Sequence, residues 1–133
     1  AANGDEPSTR GEHEAILIVD DEIDFTDMMS EIFSEQGYEA LAANSGLEAI
    51  EIFEKRHDDI KLVVLDIVMP GIDGGEVFRR LRKIDPAVKV VLCSGFSAEG
   101  KAGEILNQGA CAFIQKPCES KVFLKTISAA LKR

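Results

Sequence analysis

Apolar runs and helical patterns alternate five times along this chain, an order that leaves few folds open. The runs predict strands near residues 15–20, 38–43, 61–66, 88–93 and 110–115, and the intervals predict helices near 23–36, 45–56, 74–84, 98–108 and 119–131. Alternation at this spacing builds a parallel sheet with helices on its faces, so the expected class is α/β, a single (βα)5 three-layer domain. ILIV (16–19), LVVL (62–65) and VVLC (90–93) are continuously apolar, as strands covered on both faces are, whereas YEALAA (38–43) is weaker and belongs at an edge. The strand order that follows is 2-1-3-4-5. In helix 1, Phe25, Met29, Ile32, Phe33 and Gln36 recur at the helical period and Gly37 ends it. Helix 5 repeats the pattern with Phe123 or Leu124, Ile127 and Leu131.

A chain of 133 residues suits one compact domain. Residues 1–14, AANGDEPSTRGEHE, lack periodicity and read as a flexible lead-in or interdomain linker, with the folded domain at 15–133 and no output domain after it. Hydrophobic residues at 45% and charged residues at 29% exclude wholesale disorder. The net charge of -9 and the lack of a basic stripe argue against direct nucleic-acid binding and suit a cation site. No apolar stretch approaches the roughly 20 residues of a membrane span. Cys93, Cys111 and Cys118 form no CxxC pair and read as reduced core residues, which places the chain in the cytoplasm.

Four of the five strands end on chemically useful residues: Asp20-Asp21 after ILIV, Asp66 after LVVL, Ser94 after VVLC and Lys116 after AFIQ. Strand C-termini in a parallel sheet share one edge, where such sheets place their sites, so these side chains converge. Three carboxylates there repel, by about 4 kcal/mol per pair at 4 Å and an effective dielectric near 20. A hard divalent cation such as Mg²⁺, with oxygen ligands, offsets that repulsion, and Lys116 adds a permanent positive charge. Singly, each residue has a plainer reading. Asp20-Asp21-Glu22 can cap helix 1, Asp66, whose side chain should project into solvent at the sheet edge, can be turn chemistry, Ser94-Gly95 can be a turn, and Lys116 can be a surface charge ahead of Pro117. Pro117 also admits a cis peptide. The ordered set makes phosphoryl handling the stronger reading.

That set resembles the receiver domain of two-component response regulators, over residues 15–132. The resemblance implies a flavodoxin-like fold in which Asp66 is the phosphoacceptor for a phosphohistidine on a histidine kinase or phosphotransfer domain. It implies Mg²⁺ held by Asp21, Asp66 and the main-chain carbonyl of Val68, with Asp20 acting through water, and phosphoryl oxygens gripped by Ser94 and Lys116. Such a domain catalyses its own phosphorylation and dephosphorylation. Phe113 matches the family's aromatic switch position that follows Ser94, and equally suits a strand 5 core aromatic. Helix 1 and the loop after strand 5 dock the phosphodonor in the family, to which Ile23 and Met28 would contribute unless they are scattered surface apolars. The family also allows a weak homodimer. The lead-in, the missing Met and the SGFS segment are similar to the C-terminal receiver of a hybrid histidine kinase; a freestanding single-domain regulator and a non-phosphorylated pseudo-receiver are the alternatives.

Two competing signals are weaker. Gly95 to Ala102, GFSAEGKA, nearly matches a nucleotide-binding loop but has Ala102 in place of the metal-binding hydroxyl. Haloacid-dehalogenase-type phosphatases resemble DxD at the strand end, and here the second acid is Val68. His13 and His57 lack motif context.

Overall fold

The computed structural model describes residues 14–95 and 99–132. Most of the lead-in, with His13, and part of the GFSAEGKA segment therefore lie outside the described residues. The elements are β1 (Ala15–Val19), α1 (Ile23–Glu35), β2 (Glu39–Ala43), α2 (Gly46–Arg56), β3 (Ile60–Leu65), α3 (Gly74–Ile84), β4 (Val90–Ser94), α4 (Glu99–Asn107), β5 (Ala112–Gln115) and α5 (Ser120–Leu131). All five strands are parallel in the order β2-β1-β3-β4-β5, the flavodoxin-like α/β arrangement the alternation predicts.

β1, β3 and β4 are buried nearly throughout because apolar side chains leave them on both faces. One face packs Ala49 and Phe53 of α2, Phe78 and Leu81 of α3 and Ile105 of α4 against Leu17, Val63, Leu65 and Leu92. The other packs Met29 and Phe33 of α1 and Phe123 and Ile127 of α5 against Ile16, Ile18, Val64 and Cys93. In α5 it is Phe123 that is buried, while Leu124 packs at the margin. β2 is the partly exposed edge strand.

The α1 stripe differs in detail from its sequence pattern. Met29 and Phe33 are buried, Phe25 and Ile32 half-buried, Gln36 exposed, and Thr26 takes an inward position instead. Thr26 can do so because its hydroxyl donates to the Ile23 carbonyl at 3.0 Å. Gly37 stops the helix with φ at 93°, and the amides of Gly37 and Tyr38 return to the carbonyls of Ser34 and Phe33. Gly74 opens α3 hard against the exit of β3: a Cβ there would lie 2.6 Å from the Ile67 Cα. That close packing holds the chain just after Asp66. Cys93 is buried and Cys111 and Cys118 are half-buried, all three as free thiols, so the core reading holds fully for Cys93. Among the described residues no helix is long and apolar enough to cross a membrane.

Candidate functional site

Asp20, Asp66 and Lys116 each lie one residue past β1, β3 and β5, and Ser94 is the last residue of β4. The parallel sheet turns this repeated offset into proximity. Asp66 is 6% exposed, which corrects the expectation that it projects into solvent. Three neighbours draw it inward. Its Oδ1 accepts hydrogen bonds from the Val68 amide at 3.0 Å and the Ser94 hydroxyl at 2.8 Å, while its Oδ2 lies 3.6 Å from Lys116 Nζ. Ser94 is itself buried, so its hydroxyl is aimed by the end of the strand.

Asp20 is wholly buried. Its Oδ1 accepts from the Glu22 amide at 2.9 Å, and its Oδ2 accepts from Lys116 Nζ. Glu22 is the N-cap of α1 and has no side-chain cap bond, so the acidic triplet serves this helix end as an Asp20 turn. Burial is the largest influence on Asp20 and raises its pKa, outweighing the Lys116 and Glu22 hydrogen bonds. Burial disfavours the Lys116 ammonium too, but the Asp20 hydrogen bond and the charges of Asp66 and Asp20 outweigh it and hold the ammonium above its ordinary value. Desolvation pushes the nearby Cys93 thiol up to about 12, so it stays a neutral core group.

Carboxylate oxygens of Asp20, Asp21 and Asp66 all lie within 4.8 Å of one another, with Asp21 exposed on the solvent side. Three hard oxygen donors so close, with Lys116 beside two of them, fit a divalent cation such as Mg²⁺. The Lys116–Pro117 peptide is cis. Phe113 is half-buried and packs against the cluster beneath α2, α3 and α4, on the face that also carries Leu92, its register partner in β4.

Two participants were missed in the sequence. Asn44, just past β2, donates through Nδ2 to the Asp20 carbonyl at 2.8 Å and to Thr26 Oγ1 at 3.2 Å, tying the acidic turn to α1. The strand-end logic that found the other groups applies to it equally. Phe25, read as core, places its ring 4.3 Å from Lys116 Nζ. Phe25, Met28, Lys116, Pro117, Cys118 and Phe123 line a cavity of about 350 Å³ beside the site. Ile23 and Met28 of α1 are exposed at 61% and 48%, and Met28 lines that cavity. A larger cavity, about 670 Å³, lies near Lys61, Asp85 and Lys89 at the opposite ends of the strands, away from this chemistry.

Residues 16–128 match the response regulator receiver domain family. The chain belongs to that family. Chemotaxis protein CheY of Listeria monocytogenes is 35% identical over 120 residues, spanning 88% of this chain and 98% of CheY. Sensor kinase CckA of Brucella abortus is 31% identical over 118 residues, spanning 89% of this chain and 12% of the kinase. A solved complex of CheX and CheY with BeF3 and Mg²⁺ from Borrelia burgdorferi has a TM-score of 0.80 at 28% identity, covering 87% of each chain. The chain is thus a receiver domain of two-component signalling. Receiver domains generally bind Mg²⁺ at an acidic pocket, and Asp20, Asp21 and Asp66 form an acidic cluster that could hold such an ion.

Proposed function

We propose that this receiver accepts a phosphoryl group on Asp66 from the phosphohistidine of a histidine kinase or phosphotransfer domain. The observation that carries the reading is the asymmetric environment of the Asp66 carboxylate. Two hydrogen bonds hold Oδ1, and Oδ2 has Lys116 Nζ at 3.6 Å, so one oxygen is anchored and the other is presented to an incoming group. An Oδ2 lone pair attacks phosphorus, the donor N–P bond breaks with its electrons returning to the imidazole, and an acyl phosphate forms. Positioning and charge neutralisation supply most of the acceleration in such transfers. Lys116 follows the charge onto the phosphoryl oxygens, and Ser94 releases Asp66 Oδ1 to donate to one of them. Asp21, Asp66 and the Val68 carbonyl, with Asp20 acting through a water, would hold Mg²⁺, and the ion would supply charge neutralisation at the phosphoryl group. Phe113 then follows Ser94 as the aromatic switch, and the added charge shifts the exposed surface between two states. Ile23 and Met28 dock the donor.

The module acts in the cytoplasm as the receiver of a hybrid histidine kinase, with residues 1–14 as linker to the domain at 15–133. The likeness to part of sensor kinase CckA supports that setting. A freestanding regulator is the second reading, favoured by the match over 98% of CheY. Sequencing the complete gene separates the two. Incubation with Mg²⁺ and acetyl phosphate, followed by intact mass, tests the phosphoacceptor itself. One acid-stable, base-labile phosphoryl adduct is expected, absent from Asp66→Asn and absent with EDTA. No adduct with any small phosphodonor would instead indicate a pseudo-receiver.

A further inference from the structure

Gln115 Nε2 is buried and, among the described residues, is a side-chain donor left without a hydrogen-bond partner. An unmet buried donor is unfavourable enough to need an explanation. Its place in the sheet supplies one. Gln115 is the last residue of β5 and the register partner of Ser94, the last residue of β4. Side chains alternate along a strand, so Gln115 shares a face with Phe113 and Ser94 shares that same face with Leu92, both of which belong to the packing beneath α2, α3 and α4. The two side chains are therefore lateral neighbours. Ser94 Oγ donates its one proton to Asp66 Oδ1 at 2.8 Å. A hydroxyl oxygen also has two lone pairs, and neither is engaged by a hydrogen bond among the described residues.

We propose that Gln115 is a positioning residue for Ser94, whose amide donates to Ser94 Oγ once that hydroxyl turns from Asp66 to a phosphoryl oxygen. The inference rests on the phosphoacceptor reading above. The resulting chain runs from Gln115 N–H to Ser94 O–H to phosphoryl oxygen. Each bond in such a chain polarises the next, and the hydroxyl becomes a better donor at the moment it is needed. The unphosphorylated state holds the amide unsatisfied and the phosphorylated state satisfies it, so the pair biases the equilibrium toward the liganded arrangement. Main-chain geometry favours the motion, because the Lys116 amide already donates to the Ser94 carbonyl at 2.9 Å and keeps the two strand ends in register.

The test is a double-mutant cycle read with Mg²⁺ and beryllofluoride as phosphoryl analogue, by calorimetry and by NMR of the side-chain amide. Gln115→Leu is expected to weaken beryllofluoride binding about tenfold when Ser94 is present, and by less than about twofold in the Ser94→Ala background. Its ligand-free thermal midpoint is expected to equal or exceed that of the unmutated chain, since an unmet donor has been removed. In the unmutated chain the Gln115 amide proton resonance should move downfield on adding beryllofluoride, an observation that does not depend on any variant folding. Equal losses in both backgrounds, no loss in either, or an unmoved amide resonance would each overturn the proposal. Should the unmutated chain bind no beryllofluoride and form no adduct with acetyl phosphate, the phosphoacceptor reading fails and this inference with it. Binding without Gln115–Ser94 coupling fails this inference alone.

Discussion

Lys116 with Asp20 and Lys101 with Asp73 are the same pair of side chains built twice along one edge of the sheet, and burial gives them opposite electrostatics. In the first pair Asp20 is 1% exposed, and the loss of water raises its pKa in spite of the lysine. In the second, Lys101 Nζ meets Asp73 at 2.7 Å with both side chains about half exposed. There the lysine hydrogen bond is the largest influence and lowers the Asp73 pKa. Geometry alone would have ranked the two alike. Desolvation decides between them: it raises the carboxyl pKa of the buried pair, while the exposed pair is a solvated strap between the start of α3 and α4.

The sharpest way to break this contrast is Lys116→Met, which leaves Asp20 and Asp66 buried without their ammonium. Phosphoryl uptake from acetyl phosphate should fall at least about 100-fold. The chain should also lose about 3 kcal/mol of stability to urea at neutral pH, the low end for breaking a buried pair because Lys116 keeps 21% exposure. A loss as small as that of a surface pair would mean that water reaches Asp20. Next in size is Mg²⁺. If it occupies the carboxylate cluster, a concentration ten times its Kd should stabilise the fold by about 1.4 kcal/mol, reversed by EDTA and reduced in Asp21→Asn. Calorimetric melts with and without the metal read this directly.

Acid should separate the pairs by sign. A folded pKa above the unfolded one means that Asp20 contributes stability that is present below about 3.8 and lost as pH rises. Asp20→Asn should therefore raise the metal-free melting midpoint at pH 7 and converge with the unmutated chain near pH 3. Asp73 runs the other way: its contribution is present above about 3.8 and lost as pH falls through its lowered value. The smallest effect belongs to Lys101→Ala, expected to move the neutral-pH midpoint by no more than roughly a degree, and by less in high salt. A larger shift would show that the exposed strap matters more than solvent screening allows.

Periodicity carried the fold well because each strand is bounded by a change of pattern. β1, β3 and β4 read as buried on both faces, and the weak alanine-rich run found its place as edge strand β2. The site's membership was legible for the same reason, since Asp20, Asp66, Ser94 and Lys116 all terminate apolar runs. Its bonding was not. Which carboxylate Lys116 grips depends on register and on the depth of Asp20, neither of which is written in one strand alone. Asp66 looked like a turn residue because Pro70 and Gly71 follow closely, yet Val68 and Ser94 hold it inside. Asn44 and Phe25 escaped notice because a polar residue at an edge strand and an aromatic on a helix stripe each have common structural uses.

Lys116 stands 96 positions after Asp20, and that separation has a meaning for how the molecule is made. A chain leaving the ribosome exposes β1, β2 and β3 first, and these three pair with one another in the finished sheet. Asp20 and Asp66 are then present while the ammonium that faces both is still being synthesised. β5 joins only through β4, as the last strand of the sheet. The cation therefore arrives with the last strand, and a nascent chain can bury its two acids beside Lys116 only after the entire sheet has closed.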